Sequence, residues 1–329
     1  MPASLTLIAA PVASFAVAVG TLSWLLRGRM RELAMDRPNE RSLHARPIPR
    51  TGGLAIMAGV VAGCVLVPSL PWAALLLALT LGLLSFADDL RSLPISVRFA
   101  AQLAAAGVFT LLHLAPLPHV LWAVPVVLGI VWVSNLYNFM DGSDGLAGGM
   151  AVIGFGCLAL AAVKGGDLGI ATLCAVLAAA ALGFLVHNFP PARVFMGDAG
   201  SVPLGFLAAT LGYLGWGRGL WPAWFPVLVF SPFVVDASVT LVKRALRGER
   251  FWQAHKQHYY QRMVQIGLGH TRTALIQYAL MLATGASALV ALELQERNQW
   301  LLVAAWAAGY ALLMVLFEVL WRGRAGPGN

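Results

Sequence analysis

The sequence predicts an all-α fold that crosses a membrane many times, and three observations carry that prediction. Of 329 residues, 59% are hydrophobic and only 11% charged, against about 25% charged in a soluble domain. Apolar runs of about twenty residues, enough to cross a bilayer as a helix, recur from end to end. The Lys and Arg residues concentrate in alternate connections between those runs. So little charge cannot cover a water-exposed surface, which excludes one soluble domain with a large core.

About eleven spans are expected, at roughly 4–26, 52–69, 71–87, 97–114, 119–137, 147–163, 168–186, 202–217, 220–242, 273–292 and 299–321. Pro68-Ser69-Leu70-Pro71 makes a tight turn between the second and third. Several spans are rich in Ala and Gly, which suits close helix packing in lipid. The whole of 1–329 reads as one transmembrane domain, with no internal repeat and no soluble appendage. The first run has neither a basic region ahead of it nor a small-residue cleavage pattern, so a retained helix is expected rather than a removed leader. Cys64, Cys157 and Cys174 all lie in apolar runs without metal-type spacing and read as packing residues.

With the N-terminus outside, the connections at 27–51, 88–98, 138–146, 187–201, 243–272 and 322–329 fall inside. They hold 19 of the 22 Lys and Arg; only Lys164, Arg218 and Arg297 fall outside. That asymmetry predicts N-terminus out and C-terminus in. The net charge of +8 is then a collar facing anionic head groups and phosphorylated substrates, with no nucleic-acid footprint.

Five of the fourteen acidic residues, Asp88, Asp89, Asp141, Asp144 and Asp198, fall in three short inside loops. A single carboxylate at a helix end is often only a solvated cap. Five on one face, with Asp141, Asp144 and Asp198 each next to a glycine, point to a site. Like charges brought together call for a cation, and hard oxygens beside phosphate suit Mg²⁺ or Mn²⁺. Asp88-Asp89 alone is a weak signal, although adjacent acids favour a shared metal or a raised pKa on one of them. Asn135-Leu136-Tyr137-Asn138-Phe139-Met140-Asp141-Gly142-Ser143-Asp144-Gly145 is more specific. Its Asn and Asp residues recur at three-residue spacing and share a face if the segment is helical.

The connection from His187 and Asn188 to Gly200-Ser201 contains Pro190-Pro191, which stops a helix, and Phe195, which suits stacking on a base or a place in the interfacial aromatic belt. Asp198 opens the next span, where helix N–H groups face the loop side. In 250–262, His255, His258, Lys256 and Arg262 form a cluster suited to a diphosphate, or simply a basic inside loop. His-x-x-His lacks the Cys or Glu partner of a zinc site. His113 and His119 read as interfacial. Asp236, inside an apolar run about seven residues before Lys243, suggests either function or pairing with a neighbouring helix.

Taken in order, these motifs resemble the polyprenyl-phosphate N-acetylhexosamine-1-phosphate transferase family. That family includes initiating enzymes of O-antigen, common-antigen and teichoic acid assembly and the phospho-N-acetylmuramoyl-pentapeptide transferase. The resemblance runs from Arg41-Ser42-Leu43-His44 and Pro49-Arg50-Thr51-Gly52-Gly53 to Arg262. It implies that Asp88 and Asp89 serve metal and acceptor-phosphate chemistry and that Asn138, Asp141 and Asp144 lie near metal and nucleoside. It further implies that Asn188 and Phe195 contact uridine, that Asp198 ligates Mg²⁺, and that His255, His258 and Arg262 bind diphosphate. The histidines depart from the consecutive run of the peptidoglycan enzyme and look closer to the O-antigen initiators.

The activity implied by the resemblance is transfer of N-acetylhexosamine-1-phosphate from a UDP-sugar to undecaprenyl phosphate, releasing UMP, at the bacterial cytoplasmic membrane, with homodimerisation left open. The runner-up is a secondary transporter, which places its charges near the bilayer midplane and often in inverted repeats. A lipid diphosphate hydrolase would share metal and lipid but needs no nucleoside pocket.

Overall fold

The computed structural model describes residues 3–27, 32, 34–36, 38, 43, 46–250, 253 and 255–325. Helices make up nearly all of the regular structure: α1 (Ala3–Leu25), α2 (Gly52–Cys64), α3 (Trp72–Arg91), α4 (Ile95–Leu112), α5 (Ala123–Phe139), α6 (Leu146–Lys164), α7 (Leu168–Asn188), α8 (Asp198–Gly217), α9 (Trp224–Val229), α10 (Ser231–Leu246), α11 (Tyr259–Met263), α12 (Gly269–Ala291) and α13 (Glu296–Ala325). Two short antiparallel strands, β1 (Met35–Asp36) and β2 (Ile48–Pro49), pair Met35 with Pro49.

Each of the eleven expected spans falls on a helical segment, but three of them, 52–69, 202–217 and 220–242, are not among the helices long and apolar enough to cross a membrane; the second is α8. Helix α2 is only 13 residues long, short of the roughly twenty that cross a bilayer. The run 220–242 is broken at Phe230 into α9 and α10, beside Pro226 and Pro232, which deny the helix backbone donors. Among the described residues, eight helices are long and apolar enough to cross a membrane. Leu83, Leu121 and other large apolar residues stand on the outer surface, where lipid rather than water makes them favourable. Cys64, Cys157 and Cys174 are buried and unpaired.

Helix α8 is the centre of the fold. Most of its residues are buried, and α2, α3, α5 and α6 pack on it. Helices α1, α2 and α7 form one flank, α6 joins α7 to α12, and α13 is largely exposed along the outside. The starts of α2 and α8 touch backbone to backbone: a Cβ on Gly53 would lie 2.3 Å from the Gly200 nitrogen. Only glycine permits that approach, and it brings the strand pair to the end of the bundle where α3 and α5 finish and α8 begins.

Candidate functional site

The acidic residues meet at that end because three helix termini converge there. Helix α3 stops with Ser92 in the left-handed region (φ 51°). The carboxylate of Asp88 closes the turn, accepting the Leu93 N–H at 2.6 Å through Oδ1 and the Arg98 guanidinium at 2.9 Å through Oδ2. Asp88 is thus committed to its own loop. Its neighbour Asp89 turns instead to the start of α8 and accepts the Ala199 N–H at 3.4 Å, a favourable place for a carboxylate. Gly197 (φ 69°) makes this possible, since a Cβ there would sit 3.0 Å from Asp89 Oδ2.

Helix α5 ends at Phe139. The expectation that Asn135, Asn138, Asp141 and Asp144 share one helical face is therefore corrected: only the two asparagines do. Past the helix end, turns at Gly142 and Gly145 separate the acids. Asp141 faces Gly197, whose N–H it accepts, and lies near Asp89 and Asp198. Desolvation pushes its carboxyl well above the usual range, Asp198 and Asp89 push it further, and Arg50 partly offsets them. The Asp198 carboxyl is also raised, first by desolvation, with Arg98 opposing. Asn138 hydrogen-bonds to Asp198 and accepts the Ser201 hydroxyl at 2.7 Å.

Two guanidiniums bridge the cluster. Arg98 lies 3.5 Å from Asp198 as well as 2.9 Å from Asp88. Arg50 lies 2.6 Å from Asp36 and 3.8 Å from Asp89. Both arginines count toward the charge asymmetry, and Arg50 also stands in the Pro49-Arg50-Thr51-Gly52-Gly53 motif, but neither signal names the carboxylates they meet. Asp89, Asp141 and Asp198 lie close enough to raise one another's carboxyls beyond the effect of burial. Among the described residues no three His, Cys, Asp or Glu side chains form a ready metal cage. Mg²⁺ commonly takes one or two carboxylates and completes its shell with water and substrate phosphate, and this donor set fits that mode.

One cavity adjoins the cluster and another lies beside Asp144. One, of about 530 Å³, has apolar walls from Leu81, Phe99, Leu128 and Trp132 and ends at Arg98, Asn138 and Asp198. The other, of about 800 Å³, is basic, with Arg27, Arg46, Arg193, His187 and His270 on its walls. Asp144 faces this second space rather than the other acids, accepting the Ala192 N–H at 2.9 Å with His270 at 3.6 Å. Asn188 does not present its amide to a ligand. It is buried, accepts the Gly145 N–H and donates to the Val194 carbonyl, both at 2.9 Å. It ties the 142–146 turn to the 189–194 loop. The Phe195 backbone pairs with Pro49 and Gly52.

The histidine loop is held from behind. Asp236 accepts the N–H groups of Tyr259 and Tyr260 at 2.9 Å each, closing the start of α11, so the helix-pairing reading describes it. His258 is buried with Nδ1 3.3 Å from Asp236, and its ring stacks 6.3 Å from Phe139. His255 packs 4.8 Å from His258. Burial, and then the neighbouring His258 and Arg244, push its pKa down to about 4. Arg262 is directed away from the acids: it holds Glu318 bidentately at 2.8 and 3.0 Å and stacks on Trp321. These contacts anchor α13. Arg41, Ser42, His44, Phe251, Trp252 and Ala254 of the motifs lie outside the described residues.

Fold and site together define a polytopic membrane protein with an arginine-bridged carboxylate cluster at one end of its bundle. The sequence model of the Glycosyl transferase family 4 matches residues 71–215, from α3 to the end of α8. The chain is 34% identical over 287 residues to the probable undecaprenyl-phosphate N-acetylglucosaminyl 1-phosphate transferase of Bacillus subtilis (strain 168), covering 82% of this chain and 79% of that protein. It is 29% identical over 343 residues to the decaprenyl-phosphate N-acetylglucosaminephosphotransferase of Mycobacterium tuberculosis (strain ATCC 25618 / H37Rv), covering 87% and 83%. A phospho-N-acetylmuramoyl-pentapeptide-transferase of Staphylococcus carnosus (strain TM300) matches at 35% over 156 residues, 40% of this chain and 49% of that protein. The chain belongs to glycosyl transferase family 4, the polyprenyl-phosphate sugar-phosphate transferases.

Proposed function

We propose that this protein transfers N-acetylhexosamine-1-phosphate from a UDP-sugar to undecaprenyl phosphate, releasing UMP and starting an envelope polysaccharide in the bacterial cytoplasmic membrane. The observation that carries the proposal is the cavity whose apolar walls run to Arg98, Asn138 and Asp198. A lipid-like groove ending at a guanidinium suits an acceptor that is a hydrocarbon with one phosphate. The relatives in B. subtilis and M. tuberculosis are named for N-acetylglucosamine transfer, which favours that sugar here.

In this reading an acceptor phosphate oxygen bonds to the β-phosphorus of the donor while the bond to UMP breaks and its electron pair leaves with UMP. Arg98 holds the acceptor phosphate, and Asp89 orients it or takes its proton. Bound at Asp198 and Asp141, Mg²⁺ would neutralise the diphosphate and the charge developing on the leaving group. The basic cavity beside Asp144 suits the nucleotide. The experiment is UMP release on mixing the purified protein with undecaprenyl phosphate and a panel of UDP-sugars; no release with any member would sink the proposal.

The same reading places the acidic end in the cytoplasm, on the 19-to-3 division of basic residues. Arg193→Cys and Lys256→Cys should react with an impermeant maleimide in inverted vesicles and not in spheroplasts. The opposite pattern would reverse the orientation.

Phe195 is proposed to stack on the uracil ring. Base–aromatic stacking contributes about 1–3 kcal/mol, roughly 5- to 150-fold in affinity. Phe195→Ala should raise KM for the UDP-sugar and Ki for UMP within that range while kcat changes much less. Unaltered KM and Ki in the folded variant would make Phe195 a packing residue only.

A further inference from the structure

The turn after α5, which delivers Asp141 to the other carboxylates, is held from across the fold. Tyr260, in α11 and fully buried, donates its hydroxyl proton to the Phe139 carbonyl at 3.0 Å and accepts the Gly142 N–H. Those two peptide groups stand on either side of Asp141, so a single oxygen pins the turn before and after the carboxylate. A Cβ on Gly142 would run into that hydroxyl, and only glycine permits the approach. Tyr260 is itself fixed. Asp236 of α10 accepts its N–H at 2.9 Å, and its ring stacks at 5.9 Å on that of His258, with 16° between the planes.

We propose that Tyr260 is a positioning residue of the transfer reaction, its hydroxyl setting Asp141 beside Asp89 and Asp198 while Asp236 holds Tyr260 in place. The inference rests on the transferase reading and on Asp141 as a cation ligand within it. Without the hydroxyl, the Phe139 carbonyl and the Gly142 N–H lose their shared partner. Unpaired peptide groups inside a protein are costly, so the turn shifts to find others. A displacement of about 1 Å in the reacting geometry can cost about 10²-fold in rate. The loss falls on kcat, because Tyr260 is on the wall of neither the apolar nor the basic cavity.

The test uses the full-length protein in detergent micelles. Tyr260→Phe removes one oxygen and keeps the ring on His258. Tyr259→Phe is the matched control, the same change one residue away, where the hydroxyl meets Lys243 and Glu318 instead of the turn. Tyr260→Phe should lower kcat roughly ten- to a hundredfold, with KM for undecaprenyl phosphate and for the UDP-sugar within about twofold. Tyr259→Phe should keep the wild-type kcat. Mn²⁺ binding by the substrate-free protein, read by electron paramagnetic resonance, should weaken roughly tenfold in Tyr260→Phe alone, as for a group that supports a metal ligand. Added to Asp141→Asn, Tyr260→Phe should cost nothing further, since a residue acting through Asp141 has nothing left to position. Unchanged kcat or unchanged Mn²⁺ affinity in Tyr260→Phe would overturn the proposal. Equal losses in both tyrosine variants, or a full additional loss in the Asp141→Asn background, would make α11 a folding element and overturn it too. A wild type that releases no UMP would instead overturn the transferase reading, and this inference with it.

Discussion

Replacing Asp198 by asparagine should lower turnover roughly 10²-fold or more, the usual cost of removing a main stabiliser of transition-state charge. Asp198 begins α8, hydrogen-bonded to Asn138 and 3.5 Å from Arg98, with its charge disfavoured by desolvation and by Asp88. Asparagine keeps the shape and removes one negative charge. Two consequences have opposite signs, and the pair is diagnostic. Binding of a divalent cation should weaken, so the residual activity should need more Mg²⁺ than the wild type. Thermal stability without Mg²⁺ should be unchanged or higher, because repulsion with Asp141 is relieved. EDTA should abolish wild-type activity. Near-normal turnover of Asp198→Asn at saturating Mg²⁺ would remove Asp198 from the proposed ligands.

The spans are legible in the sequence because lipid imposes length and apolarity on each of them. The existence of a carboxylate site is legible because acids are scarce in such a chain and gather at run ends. Which acids meet is not. Three-residue spacing through Asp144 suits a helix, but α5 stops at Phe139, and the turns beyond send Asp141 to the cluster and Asp144 to the basic cavity. Pair choice is equally hidden. Arg262 stands beside two histidines in the sequence, yet its partner is Glu318, 56 residues away, set by where α13 happens to pass. Asn188 shows a third limit: a polar residue beside a site also holds two loops together, a role that composition does not reveal. The structure adds Arg98 and Arg50, whose roles depend on which carboxylates lie across the fold from them.

Arg98→Gln should lower kcat/KM for undecaprenyl phosphate roughly 10²- to 10³-fold, within the range for leaving a hydrogen-bonded charge without its partner. Among the described residues Arg98 is the one guanidinium lining the apolar cavity, and it already spans two anions, Asp88 at 2.9 Å and Asp198 at 3.5 Å. A phosphate arriving along the groove would meet its outer edge with both carboxylates behind it. Glutamine keeps a donor for Asp88 but loses the charge and the planar fork. Lysine keeps the charge, but as a point charge it cannot bridge both carboxylates and a phosphate, so Arg98→Lys should fall between the wild type and Arg98→Gln. The competing account is that Arg98 only holds the 92–98 loop through Asp88. That account predicts lost thermal stability with KM for both substrates nearly unchanged in the protein that remains folded. The proposed role predicts that KM for the lipid phosphate rises far more than KM for the UDP-sugar. Asp88→Asn provides the control, because it releases the loop from Arg98 while leaving the guanidinium beside Asp198. If Asp88→Asn and Arg98→Gln showed the same kinetic profile, Arg98 would be a loop anchor and the acceptor phosphate would be bound elsewhere.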